Sequence, residues 1–127
     1  MLVLYPTPSL LRQVGAWSGR HAECRVESAA ARAAGEIRKA IDRAEAVLID
    51  ATEDHVQAVD ALALALGSFG ASKTVVYTER MHEGLEQFVR LQGVLLLFGP
   101  LSGAQWEGLF ERLMPGRRQR QPRKSAA

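Results

Sequence analysis

Two hydrophobic periods alternate along this chain. Met1 to Tyr5 (MLVLY) is a continuous apolar run closed by Pro6 and Pro8, which predicts a short strand. Ser9 follows as a candidate N-cap, and Leu10, Leu11, Val14 and Trp17 recur at helical spacing before Gly19. His21 to Val26 alternates weakly, with Glu23 and Arg25 on one side, as an edge strand would. From a cap at Ser28 the pattern is helical again. Ala30, Ala33, Ala34, Ile37, Ala40, Ile41 and Ala44 trace one face, and Arg32, Glu36, Lys39 and Arg43 the other.

Ala46 to Ile49 (AVLI) has no polar alternation and ends in Asp50. A strand apolar on both faces is buried on both, which favours a parallel sheet. Val56 to Phe69 reads as a helix, apolar around Leu62, Leu64 and Leu66 and ended by Gly67 and Gly70. Thr74 to Tyr77 reads as a strand, and Met81 to Leu91 as a helix with Leu85, Phe88 and Val89 inward. After Gly93 comes the strand VLLLF (94–98), broken by Gly99-Pro100. Ser102 caps a last helix with Trp106, Leu109, Phe110 and Leu113 on its buried stripe, and Pro115 and Gly116 stop it. Strand and helix thus alternate five times over short connections. The expected fold is α/β, with five parallel strands in the flavodoxin-like order 2-1-3-4-5, helices on both faces and right-handed crossovers.

Composition narrows the picture. At 127 residues, 47% hydrophobic and 24% charged, the chain has the proportions of one globular domain, and a disordered or fibrous chain is excluded. Its single cysteine, Cys24, builds neither a disulfide framework nor a cysteine metal cluster and is expected to be structural. No apolar run reaches a membrane span and no signal-peptide pattern opens the chain, so the cytoplasm is the expected compartment.

Charge is unevenly placed. The formal net charge is +2, but Arg117, Arg118, Arg120, Arg123 and Lys124 contribute +5 after residue 115, leaving −3 on the rest. Residues 1–115 are therefore expected to form the domain and 116–127 a basic disordered tail. Such a tail either associates with nucleic acid, with the salt dependence of counterion release, or keeps the domain soluble.

In an open parallel sheet, ligands bind beyond the carboxyl ends of the strands, where the strand order reverses. That edge carries Tyr5-Pro6-Thr7, the loop from Asp50 to His55, Thr78-Glu79-Arg80 and Gly99-Pro100-Leu101. Asp50, directly after a buried strand, stands at the mouth of the crevice. It either accepts a phosphoryl group or holds a cation, or it caps the following loop through backbone N–H groups. Thr7, Thr52 and Thr78 supply three hydroxyls near it, enough to grip a small polar ligand. Glu53 and Asp54 complement the dipole of the helix they precede. His55, His21 and His82 show no ligand spacing, so neither a metal site nor a cofactor is expected. Glycine-rich phosphate loops and the G-x-S-x-G elbow are missing, which sets nucleotide and hydrolase chemistry aside.

Residues 1–115 resemble the receiver domain of bacterial response regulators, the CheY-like superfamily. The pieces that carry the likeness are AAARAAGEIRKAIDRAEAVLIDATE, similar to the second helix and the phosphoacceptor strand, and VVYTER, similar to the fourth strand with its hydroxyl residue. The resemblance places Asp50 at the phosphoacceptor position and Thr78 at the switch hydroxyl. Three departures stand beside it. Tyr5, Pro6 and Thr7 occupy the place of the acidic pair that holds Mg²⁺, Gly99 that of the switch lysine, and Leu96 that of the switch aromatic. Without the pair and the lysine, charge on a phosphoryl group at Asp50 lacks its neutralising partners. The implied protein is an atypical receiver, a pseudo-receiver: not an enzyme, but an interaction module independent of phosphorylation. The resemblance also implies a partner or a second copy docked on the fourth helix, fifth strand and fifth helix. That surface holds Arg80, Met81, Glu83, Glu86, Arg90, Gln105 and Glu111, a mixed-charge set suited to an exchangeable interface. A small-ligand or residual phosphoacceptor site around Asp50 is the alternative, and nucleic-acid association through the tail is another.

Overall fold

Three apolar segments are buried along their whole length, and they form the centre of one parallel sheet. The structure, a computed structural model, describes residues 1–18, 27–29 and 34–113. Its strands are β1 (Leu2–Leu4), β2 (Glu27–Ala29), β3 (Val47–Asp50), β4 (Thr74–Thr78) and β5 (Leu95–Phe98). They lie in the order β2-β1-β3-β4-β5, every pairing parallel. The helices are α1 (Pro8–Ser18), α2 (Ala34–Arg43), α3 (His55–Phe69), α4 (Glu83–Leu91) and α5 (Gly103–Leu113), with a 3-10 turn at Ala71–Lys73.

Alternation along each strand divides the core in two. Leu2, Leu4, Val47, Ile49 and Val76 point to one face and pack with Ile37, Ile41, Leu62, Leu85 and Val89, so α2, α3 and α4 cover that side. Val3, Leu48, Val75 and Tyr77 point to the other and meet Leu10, Val14, Trp17, Trp106, Phe110 and Leu113 of α1 and α5. There Trp17 lies 6.1 Å from Trp106 and 5.3 Å from Phe110, ring centre to ring centre. A sheet packed on both faces needs strands with no polar alternation, and β1 and β3 meet that requirement almost to the last residue. β5 is the exception. Leu95, Leu96 and Leu97 are half-buried and Phe98 is 41% exposed, because an edge strand has a neighbour on one side only.

Local chemistry sets the element ends. Asp54 caps α3 by accepting the Gln57 N–H at 3.0 Å, and Gly70, at φ 74°, closes it by donating to the Leu66 carbonyl. Ser102 caps α5 reciprocally with Gln105. The Ser102 hydroxyl accepts the Gln105 N–H (3.2 Å), while the Gln105 side chain accepts the Ser102 N–H (2.8 Å).

Several local expectations change. Thr7, not Ser9, caps α1, since its hydroxyl accepts the Leu10 N–H at 3.3 Å and its carbonyl the Leu11 N–H. Ser28 pairs with Val3 inside β2 instead of capping α2, which begins at Ala34. Leu11 is 47% exposed and Phe88 is 37% exposed, each falling off the stripe that faces the sheet. The proposed strand 21–26 with Cys24, the helical positions Ala30, Arg32 and Ala33, and the basic segment 116–127 lie outside the described residues.

Candidate functional site

Asp50 ends β3 at the carboxyl edge of the sheet, next to the crevice between β1 and β3. Its side chain is only 2% exposed. Both of its oxygens are in use. Oδ2 accepts the N–H and the hydroxyl of Thr7, each at 3.0 Å, and Oδ1 accepts the Thr52 N–H at 2.9 Å. A buried carboxylate is tolerated when donors surround it, and three do so here. Tyr5 makes this geometry reachable. Its backbone turns to φ 55°, the left-handed region that a non-glycine residue enters at a cost of about 1–2 kcal/mol. That turn ends β1 abruptly and brings the first turn of α1 against β3.

The neighbouring hydroxyls are also engaged. Thr52, buried, accepts the Glu79 N–H at 3.0 Å and so ties the loop after β3 to the loop after β4. Thr78, 1% exposed, donates to the Arg80 carbonyl (2.9 Å) and accepts the Arg80 N–H (3.2 Å), closing its own turn. The four residues expected around the crevice therefore split. Thr7, Asp50 and Thr52 form one hydrogen-bonded chain, while Thr78 is turned into its own loop.

A second network, which the sequence does not signal, joins α1 to the carboxyl ends of β4 and β5. The Tyr77 hydroxyl donates to Glu79 Oε2 (2.5 Å) and accepts from Gln13 Nε2 (2.8 Å). Gln13 Oε1 in turn accepts the Leu101 N–H at 2.8 Å. Three elements are thereby joined: α1, the loop after β4 and the loop after β5. The Tyr77 ring also occupies the space a side chain at position 99 would need. A Cβ on Gly99 would stand 2.0 Å from the Tyr77 hydroxyl oxygen and 2.2 Å from two ring carbons. Burial and the Glu79 acceptor push the Tyr77 phenol well above its ordinary pKa, against the smaller opposing effect of the Gln13 donor. The Tyr5 phenol is raised as well, first by burial and then by the charges of Asp60 and Asp54.

The helix and loop surface around β5 holds the other group of expected residues. Arg80, Met81, Glu83, Arg90, Gln105 and Glu111 are exposed and Glu86 is half-buried. Arg90 and Glu86 pair at 2.7 Å as i,i+4 neighbours. Gln105 spends its side-chain oxygen on the α5 cap. Met81 is 75% exposed.

On the α3 side of α4, His55 and His82 meet with ring centres 4.3 Å apart. They border a cavity of about 320 Å³ with Val59, Glu83, Leu85 and Phe88. The two histidines stand 27 positions apart, and only the packing of two helix starts joins them. No spacing rule could have found this pair. Among the described residues no cluster of three or more ligating side chains could hold a metal ion, and no helix is long and apolar enough to cross a membrane.

No family model matches the chain, and no curated protein matches it. Two solved structures share its fold. One, described as the pilus assembly protein CpaE2 of Sinorhizobium meliloti 1021, superposes with a TM-score of 0.61 at 16% identity, over 89% of this chain and 98% of its own. The other, a pilus assembly-related protein of Burkholderia pseudomallei K96243, superposes with a TM-score of 0.62 at 18% identity, over 88% of this chain and 86% of its own. Both are similar in fold to a parallel sheet flanked by helices, the architecture described above.

Proposed function

We propose that this protein is a receiver-like module that works by binding another protein without phosphotransfer, within a pilus-assembly apparatus of the kind its structural neighbours are described as serving. One observation carries the reading. Both oxygens of Asp50 are spent on Thr7 and Thr52, so the residue at the phosphoacceptor position serves as a buried clasp between β1 and β3. Phosphoryl transfer to it would require breaking those bonds, and Tyr5-Pro6-Thr7 after β1 offers no acidic pair to hold a charge-neutralising cation. Tyr77 adds to the case. By filling the space beside Gly99 it leaves no room for a lysine side chain there, and it ties the loops that a switch would have to release. On this reading the molecule is no enzyme and holds one state in the cytoplasm.

The docking surface is α4, β5 and α5. Its centre is apolar, with half-buried Leu95 and Leu97 along the open edge, and its border mixes Arg80, Arg90, Glu86 and Glu111. An edge strand carrying four apolar residues and no charge or proline is left open where a partner covers it. Charge reversal tests this surface. Arg90→Glu together with Glu111→Arg should weaken self-association or capture of the partner by roughly tenfold, the scale of rim charges acting in concert. Unchanged sedimentation and unchanged partner binding would overturn the assignment.

A further inference from the structure

We infer that two copies of this chain join edge to edge, β5 pairing antiparallel with its own counterpart about a twofold axis at Leu97, so that the two sheets become one. The inference rests on the reading of α4, β5 and α5 as a docking face, and it names the occupant of that face as a second copy of the chain.

The sheet has two edges, and they differ in chemistry. β2 ends it with Glu-Ser-Ala (27–29), and a charged, hydroxylated strand of this kind discourages pairing. β5 ends it on the other side with Leu-Leu-Leu-Phe (95–98). Every residue of β1, β3 and β4 is buried, whereas none of β5 is. Leu96 packs towards the α2, α3 and α4 side of the sheet, and Leu95 and Leu97 towards the α1 and α5 side. Both faces of the strand are thus half covered, and both gain burial from a strand laid alongside.

Backbone direction selects the register. Gly99 donates its N–H to the Thr78 carbonyl at 3.0 Å. By strand alternation Leu95 and Leu97 also turn their polar groups to β4, and Leu96 and Phe98 turn their N–H and C=O to the open side. A twofold axis at Leu97 uses all four of these outward groups. Leu96 exchanges both bonds with Phe98 of the second copy, and Phe98 does the same with its Leu96. Leu97 then faces its own counterpart in a non-hydrogen-bonded pair, with Cα atoms about 4.5 Å apart. Leucine opposes phenylalanine on one face and leucine opposes leucine on the other, apolar cross-strand pairs that favour the contact.

Charge on α4 fits the same symmetry. Phe88 borders the cavity towards α3, and helical periodicity puts Glu86 and Arg90, paired at 2.7 Å, on the opposite flank. An axis standing across the sheet sets the two α4 helices antiparallel on one face. The Glu86–Arg90 pair of one copy then meets that of the other in reversed order, acid towards base across the seam. Such self-complementarity is what a twofold interface requires.

Disulfide crosslinking of the full chain tests this. In a Cys24→Ser background, Leu97→Cys should give a covalent dimer on oxidation with diamide, because a Cα separation of about 4.5 Å lies within disulfide reach. Leu95→Cys, two residues off the axis and roughly 14 Å from its counterpart, should stay monomeric. Sedimentation equilibrium gives an independent reading. The natural chain should show a monomer–dimer equilibrium. Leu97→Lys and Leu97→Glu should each raise the dimer Kd roughly tenfold or more by opposing like charges at the axis, and an equal mixture of the two should bring the dimer back. Circular dichroism checks that each variant is folded, and where one is not, the crosslinks decide. A natural chain that stays monomeric at millimolar concentration would overturn the inference while leaving the docking face to a different protein. Equal crosslinking at positions 95 and 97 would overturn it too, as would folded Lys and Glu variants that fail to rescue one another.

Discussion

Removing the carboxylate of Asp50 separates a structural clasp from an idle phosphoacceptor. In the folded chain it accepts three hydrogen bonds at 2.9–3.0 Å, two of them from backbone N–H groups of Thr7 and Thr52. Bonds to a charged group contribute about 1.5–3 kcal/mol each, and orphaned buried donors cost about 1–3 kcal/mol. Simple addition overstates the loss, because the Thr7 hydroxyl can rotate and water can enter at the sheet edge. Asp50→Ala should then lose about 3–5 kcal/mol, a large share of the roughly 5–15 kcal/mol that holds a domain together. Asp50→Asn retains one acceptor oxygen but turns an amide donor towards one of the N–H groups, so about half that loss is expected. At about 4 °C per kcal/mol for a chain this size, the alanine variant should melt some 12–20 °C lower. Urea unfolding followed by circular dichroism is the companion assay, and a lower midpoint at constant slope would show that stability itself changed. A melting temperature within about 2 °C of the natural protein for both variants would refute the clasp.

Three further outcomes follow from the same geometry. Because the folded Tyr77 phenol is raised above its unfolded value, its contribution to stability is complete below about pH 10. It is then lost as pH rises further, with a slope approaching about 1.4 kcal/mol per pH unit. Alkaline melts and phenolate absorbance should show this, and Tyr77→Phe should flatten the slope. Gly99→Ala must displace the Tyr77 ring, so it should destabilise by about 1–3 kcal/mol, and that penalty should shrink in a Tyr77→Ala background. Equal penalties in both backgrounds would refute the contact. Mg²⁺ with beryllofluoride, a phosphoryl mimic, should leave the backbone amide shifts of residues 50–52, 78 and 99 in place. Joint, saturable movement would restore a working phosphorylation switch.

Much of the architecture was legible because burial leaves a one-dimensional trace. AVLI, with no polar alternation, favours a strand covered on both sides, TVVY reads as another strand, and the stripes through Ile37 and Ile41 or Trp106 and Phe110 fit helices lying on them. Element ends were less legible, since capping is a competition among neighbours. Ser9 and Thr7 are both competent caps, and Thr7 won because Asp50 also holds it in place. Phe88 shows the same limit. Its spacing suits the core, but Leu85 and Val89 take the buried face of α4 and Phe88 borders the cavity towards α3.

For the candidate site, sequence alone placed Asp50 at the end of a buried strand and showed that no carboxylate follows the first strand. Those facts depend on residue identity and local order. Tertiary structure alone decided what Asp50 touches, that Tyr77 fills the space beside Gly99, and that His55 meets His82. Apart from the local bond to Thr52, each of these contacts joins residues 22 to 43 positions apart. Hydrophobic pattern records which face a residue takes, and packing alone selects its partner there.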